Sequence, residues 1–289
     1  MTAFLDVRTA WGGGAVGDEV LIRTGTSRTN YRELSPGDLE SFVHGRDVMI
    51  ATHGFNTNRA QGIEMLSDWE SLLGPAPFPG AFIGFLWPGD SEFWHTLSYP
   101  VEPRHATDSG NRLAEFVNRN FQNAVSLSFV SHSLGARVIL QTIHRTKRPV
   151  RRAIVMAGAV SDHCLTGEFA AVPPKVEVIS VLASKKDEVL RWAFPLGDLS
   201  AEIIDREHPW WESALGRFGP FSRPEHYQPP CQIPEKWNYG HENYLQVQPP
   251  APEPIPLPTD LPISGPLPLG GAPGWQEAFS ASFVSTRFR

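Results

Sequence analysis

The sequence predicts an α/β fold in which helices flank a mostly parallel β-sheet. Short β-type runs alternate with helical patterns between residues 47 and 183, an order that is typical of βα units. The chain has 289 residues, of which 41% are apolar. That is enough for one large α/β domain with a sizeable core, or for two small domains. Functional loops of such sheets gather beyond the carboxyl ends of the strands.

Each predicted element rests on a local pattern. Apolar, β-favouring runs predict strands at residues 4–8, 19–23, 47–52, 81–86, 125–130, 153–157 and 176–183, with a glycine turn at 12–14. The spacing of apolar residues predicts one helix over 60–73 and another that begins at a cap on Asp108 or Ser109. A third helix begins near Leu134. A short edge strand is predicted near 227–233, where prolines remove several hydrogen-bond donors.

Charge and cysteine content argue against several classes of protein. The formal net charge is −6, and no run of Lys and Arg is long enough to bind a nucleic-acid backbone. Cys164 and Cys231 lack metal-ligand spacing and predict free thiols in a reducing compartment, with a single disulfide as the alternative. No secretory signal, membrane span, metal motif or phosphate-binding glycine loop is visible. We therefore expect a cytoplasmic protein without a cofactor or metal.

The stretch S-H-S-L-G at residues 131–135 is the most informative motif of the chain. It follows an apolar strand and precedes a helix, which is the context of a nucleophile elbow. So tight a turn requires small residues two positions before and after the nucleophile, and Ser131 and Gly135 meet this requirement. The turn lifts the Ser133 hydroxyl above the sheet and points the Leu134 N–H at an oxyanion formed nearby.

A serine nucleophile needs a base and an acid that orients the base. Asp187 is favoured as the acid, because it lies just past the carboxyl end of the predicted strand 176–183. Asp162, which follows the preceding predicted strand, is the alternative.

The favoured base is the last histidine of the chain, His241. It follows Gly240, which lets the backbone approach closely, and it completes the chain order serine, aspartate, histidine. The alternatives for the base are His208 and His226.

A second oxyanion donor is predicted where the strand 47–52 runs into His53, Gly54 and Phe55. The Phe55 N–H is expected beside the elbow, where it forms a two-donor oxyanion hole with the Leu134 N–H. We expect His53 to hold this loop by hydrogen bonds and His132 to shape the elbow, so that neither acts as the base.

A second serine-esterase pattern competes with the elbow. Residues 89–91 spell G-D-S and residues 205–208 spell D-x-x-H, which together suggest Ser91, Asp205 and His208 as a different triad. In that class the G-D-S block follows the first strand and is accompanied by a G-x-N-D block, which is missing here. The W-P-G-D-S segment is therefore interpreted as a loop that lines the pocket or turns the chain.

Five motifs of the chain together resemble one known family. They are HGFN at 53–56, FLWP at 85–88, SHSLGAR at 131–137, ASKKD at 183–187 and GHENY at 240–244. In combination they are similar to the bacterial α/β hydrolases of unknown function, over roughly residues 45–245. The resemblance implies an α/β-hydrolase fold, esterase-type activity and a triad of Ser133, Asp187 and His241. The Pro-rich run before the histidine and the tail after residue 248 depart from it.

The chain divides into three predicted parts. Residues 1–248 form the α/β-hydrolase domain, in which the aromatic and Pro-rich stretch 192–240 is an insertion that forms either a cap or ordinary loop-rich core. Residues 249–274 hold ten of the 27 prolines and predict an extended segment. Residues 275–289 predict a short docking segment. We expect this tail to bind its own domain or another subunit in a homo-oligomer, with a disordered tail as the alternative.

The predicted function is that of a carboxylesterase-like serine hydrolase acting on a small-molecule ester, with no nucleic-acid partner. The alternative is a non-catalytic protein of the same fold that serves as a binding or assembly module through its Pro-rich tail.

Overall fold

The structure is a computed structural model that describes most of the chain. The described residues are 1–73, 80–90, 102–191, 213–222, 224, 226, 233, 235 and 238–244. All but the last residue of the predicted final strand near 227–233, most of the insertion 192–240, Cys231 and the tail from 245 onward lie outside them.

Eight strands within the described residues form one sheet. They are β1 (Thr2–Arg8), β2 (Val16–Gly25), β3 (Arg32–Glu33), β4 (Asp47–Thr52), β5 (Ala81–Leu86), β6 (Ser126–His132), β7 (Val150–Met156) and β8 (Val176–Leu182). Their spatial order is β3-β2-β1-β5-β4-β6-β7-β8. The pairs β1–β2 and β2–β3 are antiparallel and the five other pairs are parallel, so the sheet is mostly parallel as predicted.

Helices connect and flank these strands. They are α1 (Pro36–Val43), α2 (Arg59–Leu73), α3 (Glu102–Asn120), α4 (Gly135–Arg145) and the single turn α5 (Leu215–Phe218). Single 3₁₀ turns lie at Arg28–Asn30, Pro173–Lys175 and His241–Tyr244. Helix α2 packs on β5 and β1, whereas α3 packs on α4 and β2. No helix of the described residues is long and apolar enough to cross a bilayer.

The central strands are buried on both faces. Successive residues of a strand point to opposite faces, yet Met49 and Ile50 of β4 are both fully buried, as are Val155 and Met156 of β7. This double burial is typical of parallel strands that are covered by helices on either side. Because both faces are buried, these strands have the unbroken apolar sequences from which they were predicted.

The seven strands predicted between residues 4 and 183 are all present, with bounds that differ by up to three residues at an end. The predicted start of the helix before the elbow strand is wrong. Helix α3 begins at Glu102, so Asp108 and Ser109 lie inside it rather than at its cap. Its first buried residues are Ala106 and Ser109, which are small and give a weak apolar signal.

Helix α1 was not among the predicted elements, although the sequence carries its signals. Ser35 caps the helix by accepting a hydrogen bond on its Oγ from the Asp38 N–H at 3.1 Å, and Pro36 occupies the first turn. The helix is only eight residues long. Its apolar periodicity is correspondingly short.

The parallel arrangement brings four connections to one edge of the sheet. Strands β5, β4, β6, β7 and β8 run in the same direction, so the residues that follow them meet beyond their carboxyl ends. These residues include 87–90 after β5, 53–58 after β4, 133–134 after β6 and 183–187 after β8. Ser133, Asp187, Phe55 and Leu134 of the predicted site lie on these connections, whereas His241 begins the 3₁₀ turn at 241–244.

Candidate active site

Ser133 sits on a strained turn between β6 and α4. Its backbone has a φ of 52°, in the left-handed region that a residue with a side chain rarely adopts. The Ser133 N–H donates to the Met156 carbonyl at 3.0 Å, and the Ser133 carbonyl accepts from the Ala159 N–H at 3.1 Å. Hydrogen bonds from the neighbouring connection therefore hold the turn in this geometry.

Small residues are required around this turn. A Cβ placed on Gly135 would overlap the His53 carbonyl oxygen, and a Cβ on Gly54 would lie 2.8 Å from the Ser133 Cβ. Ser131, two positions before Ser133, is fully buried in β6. The connection after β4 is thus packed directly against the elbow, as the predicted elbow geometry demands.

Three predicted side chains form a hydrogen-bonded row at this edge. The Ser133 Oγ lies 2.9 Å from His241 Nε2, and His241 Nδ1 lies 2.8 Å from Asp187 Oδ2. Because a carboxylate only accepts, Nδ1 carries the proton and Nε2 is left to accept from the serine hydroxyl. Asp187 is fully buried and the other two residues are nearly so.

The Asp187 carboxylate is oriented by its own loop. Its Oδ1 accepts from the Leu190 N–H at 2.9 Å, which leaves Oδ2 for His241. The Asp187 N–H in turn donates to the Ser184 carbonyl at 3.1 Å. Ser184 also ties this loop to the histidine segment, since its Oγ donates to the Tyr239 carbonyl at 2.7 Å.

His241 is held from both sides by residues to which the sequence analysis assigned no such role. The Gly240 N–H donates to the Asn243 Oδ1 at 2.6 Å, which closes the turn that carries the histidine. His132 Nε2 donates to the His241 carbonyl at 2.9 Å, and the two rings lie 4.8 Å apart. His132 therefore holds the His241 segment as well as flanking Ser133.

His53 has the structural role that was expected of it. Its ring stacks on Trp87 at 5.6 Å and 9°, its Nδ1 donates to the Gly54 carbonyl at 2.9 Å, and the Trp87 indole N–H donates to the His53 carbonyl at 3.0 Å. These contacts join the connection after β4 to the connection after β5.

The two predicted oxyanion donors belong to residues that adjoin the contact between Gly54 and Ser133. Leu134 follows Ser133 directly, and Phe55 follows Gly54, which contacts Ser133. Within the described residues, neither the Phe55 N–H nor the Leu134 N–H donates to a protein acceptor.

Of the alternatives for the acid and the base, the structure describes Asp162 and His226, and neither is part of this row. Asp162 is anchored by its backbone N–H to the Ser213 carbonyl at 2.8 Å, and its Oδ1 lies 3.7 Å from His163 Nε2. His226 is exposed. The remaining alternatives, Ser91, Asp205 and His208, lie outside the described residues.

Burial keeps two histidines beside the elbow neutral. It lowers the pKa of both His53 and His132 to about 3, with Arg8 adding to the shift of His53 and His241 to that of His132. The unfolded chain binds a proton at each histidine below about pH 6.5, whereas the folded protein does not until near pH 3. The unfolded state then binds more protons, so the free energy of unfolding falls as the pH falls through this range.

We expect this loss of stability to become shallower in His132→Asn, by about the contribution of one proton. Urea unfolding at a series of pH values between 7 and 4 measures the slope. The matched control replaces the exposed His44 by asparagine, and the comparison of the two slopes isolates the effect of burial at His132. An unchanged slope in His132→Asn would show that the buried imidazole does not contribute to acid sensitivity.

Solved structures with low similarity to this chain include three esterases. Esterase PE8 is 17% identical over 68% of this chain and 86% of its own, with a TM-score of 0.37. An acetyl xylan esterase from Paenibacillus sp. R4 is 12% identical over 77% of this chain and 78% of its own, with a TM-score of 0.36. Carboxyl esterase 2 from the mycorrhizal fungus Tuber melanosporum is 15% identical over 59% and 54%, with a TM-score of 0.31. At such TM-scores these neighbours identify no substrate for this chain.

A search of curated proteins finds no significant match. The model of one protein family matches residues 38–197, more than half of the chain. Its description is alpha/beta hydrolase of unknown function (DUF900). The matched region runs from α1 past β8 and includes the elbow and Asp187. The mostly parallel sheet, the elbow after its central strand and this match agree, and the chain belongs to this family of α/β hydrolases.

Proposed function

We propose that the protein is a serine hydrolase that cleaves carboxylic esters through an acyl-enzyme on Ser133. The observation that carries this proposal is the position of His241, which bridges the Ser133 hydroxyl at 2.9 Å and the Asp187 carboxylate at 2.8 Å. A nucleophile, a base in hydrogen-bond reach and a buried acid that orients the base are the parts that acyl transfer requires.

In the first half of the reaction, the Ser133 Oγ attacks the carbonyl carbon of the ester while its proton passes to His241 Nε2. The carbonyl electron pair moves onto oxygen, and the N–H groups of Phe55 and Leu134 receive the resulting oxyanion. When the tetrahedral intermediate collapses, the bond to the alcohol oxygen breaks. The alcohol leaves with the proton that His241 carried.

Water completes the cycle by the same route. It attacks the acyl carbon, gives one proton to His241 and forms a second oxyanion in the same place. Collapse of that intermediate breaks the bond to Ser133, and the proton returns from His241 to the serine oxygen. The products are one alcohol and one carboxylic acid, and the enzyme is regenerated.

Asp187 stabilises the imidazolium that exists between these transfers. The carboxylate is fully buried and accepts two hydrogen bonds, from Leu190 N–H and from His241 Nδ1. A buried negative charge fixed beside Nδ1 favours the positive form of the ring without reorganisation of water. Ser184 and His132 hold the two loops that carry the pair, so the geometry is set before substrate binds.

Hydrolysis of p-nitrophenyl esters tests the proposal. With acetate, butyrate and octanoate esters we expect turnover, and at high enzyme concentration a burst of about one p-nitrophenol per chain if deacylation is the slower step. The hydrolysis rates of the corresponding thioester and anilide show which type of bond is cleaved fastest, and we expect the ester to react faster than the anilide. Hydrolysis of all esters at the rate of buffer alone would contradict the proposal and favour the binding-module alternative.

A further inference from the structure

Arg8 is a fully buried arginine at the carboxyl end of β1, close to the candidate site. Its side chain has no exposed area. Strand β1 lies next to β5, which lies next to β4, and the three strands run in parallel. The guanidinium therefore reaches the same edge of the sheet as the elbow. None of the chemical steps described above uses this residue.

The Arg8 guanidinium binds two loops at once. The oxyanion loop (residues 53–58) follows β4, and the WPGD loop (residues 87–90) follows β5. Arg8 Nη1 donates to the Thr57 carbonyl at 2.9 Å and to the Trp87 carbonyl at 2.8 Å. Arg8 Nη2 forms an ion pair with Asp90. One planar, rigid group thus fixes both loops at three points.

The two loops are also in direct contact beside the proposed oxyanion donor. The Asn56 N–H donates to the Gly89 carbonyl at 2.7 Å. Phe55 therefore lies between Gly54, which packs on Ser133, and Asn56, which is bonded to the WPGD loop. A shift of the WPGD loop away from the oxyanion loop would displace the Phe55 N–H.

The charge of Arg8 is balanced inside the protein. Burial lowers the pKa of Arg8, and the neighbouring Asp90 and Asp6 carboxylates oppose that shift. Asp6 accepts from the Arg8 N–H at 2.9 Å and pairs with Arg59 at 2.9 Å. Tyr31 donates its hydroxyl to the same carboxylate at 2.8 Å. Two arginines and two aspartates make the cluster neutral overall, which limits the cost of burying it.

We propose that Arg8 is a positioning residue for the oxyanion hole: its guanidinium fixes the oxyanion loop against the WPGD loop and thereby sets the Phe55 N–H relative to Ser133. This inference rests on the proposed serine-hydrolase function and adds a residue to it. It also gives the G-D-S motif a role. Asp90 is the carboxylate partner of Arg8, and it accepts from the Gly13 N–H at 3.1 Å.

The inference predicts a specific kinetic effect. Oxyanion stabilisation acts on the transition state, so a displaced Phe55 N–H lowers kcat and leaves KM nearly unchanged. Arg8→Met removes all three contacts and should lower kcat/KM by about 100-fold, in line with the loss or misplacement of one donor. Arg8→Lys keeps the charge but not the planar fork, and a loss of about tenfold is expected.

A transition-state analogue separates positioning from general damage. A trifluoromethyl ketone forms a tetrahedral oxyanion adduct on the active serine, so its inhibition constant should weaken by the same factor as kcat/KM falls. Titration with a fluorophosphonate gives the concentration of active sites, by which all rates are divided. A merely structural role would lower the melting temperature and leave the rate per active site unchanged.

Arg148→Lys is the matched control. Arg148 also holds two backbone carbonyls, those of Phe121 and Ala124, but it does so at the opposite edge of the sheet. We expect the control to keep kcat, KM and the inhibition constant of the wild type. Folded Arg8→Lys with wild-type kcat/KM and inhibition constant would overturn the inference. If Arg8→Met does not fold, the lysine variant decides alone.

Amide hydrogen exchange at residues 53–58 gives a readout that needs no activity. The inference predicts faster exchange in this loop in Arg8→Lys and Arg8→Met than in Arg148→Lys. If the wild type hydrolyses no ester, the proposed function is refuted. The exchange rates then still show whether Arg8 holds the two loops together. An active wild type with unchanged exchange and kinetics in both Arg8 variants refutes the inference alone.

Discussion

Ser133→Ala is expected to lower kcat for p-nitrophenyl ester hydrolysis by about 10⁵- to 10⁶-fold. The substitution removes only the attacking oxygen, so the base and the oxyanion donors are left without a nucleophile. The fold should survive, because the backbone bonds from Ser133 to Met156 and Ala159 do not involve the hydroxyl. Steady-state rates with the butyrate ester, together with a melting curve, measure both effects.

Ser128→Ala is the control for the loss of a buried serine hydroxyl near the elbow. Ser128 lies in β6, is buried, and is not part of the hydrogen-bonded row. We expect near-native kinetics from this variant. A Ser133→Ala protein that is folded and retains near-native turnover would place the nucleophile elsewhere, with Ser91 as the first residue to replace.

The second large effect is expected from Asp187→Asn, with a fall in kcat of about 10⁴-fold. The Leu190 N–H must still find an acceptor, so the oxygen of the introduced amide should face it and the amide NH₂ should face the histidine. His241 Nδ1 would then accept a hydrogen bond from the amide rather than donate one to a carboxylate. In that tautomer Nε2 carries the hydrogen and does not take the proton of Ser133.

Asp162→Asn is the matched variant, since it replaces the aspartate that the sequence offers as the alternative acid. Its expected effect on kcat is less than about threefold, because Asp162 makes no contact with His241 among the hydrogen bonds of the described residues. The two kinetic constants of both variants, at the same fraction of active sites, decide the ranking. The reverse ranking would move the orienting acid to the connection after β7.

The parts of the site that depend on neighbouring residues could be predicted from the sequence. The elbow is a strand, a turn and a helix in direct succession, so its small residues and its apolar strand are visible in residues 125–135. The strands were predictable for a similar reason. Central parallel strands are buried on both faces, and their sequences are therefore continuous apolar runs.

Contacts between distant segments could not be predicted in this way. No local pattern relates Arg8 to Thr57 or Asp90, yet these residues are joined because β1, β5 and β4 are adjacent in the sheet. The hydrogen bond from Ser184 to Tyr239 likewise joins segments that are distant in the sequence. Long-range pairs of this kind depend on the strand order, which the alternation of strands and helices leaves open.

The order of residues along the chain does not decide whether Asp187 or Asp162 is the acid. Both follow the carboxyl end of a strand, so each satisfies the same sequence rule. The geometry separates them, since the Asp187 Oδ2 lies 2.8 Å from His241 Nδ1 whereas the Asp162 backbone is bonded to Ser213. The start of α3 illustrates a different difficulty, because its first buried residues are small and give no strong apolar period.

Reaction with a fluorophosphonate tests the central claim most directly, because the probe reacts with a serine that is activated by a base and whose adduct oxygen is stabilised. We expect one phosphonyl group per chain, mapped by mass spectrometry of the digest to the peptide that contains Ser133, with no labelling of Ser133→Ala and strongly slowed labelling of His241→Asn. Absence of labelling in the folded wild type, or labelling of another serine, would contradict the account.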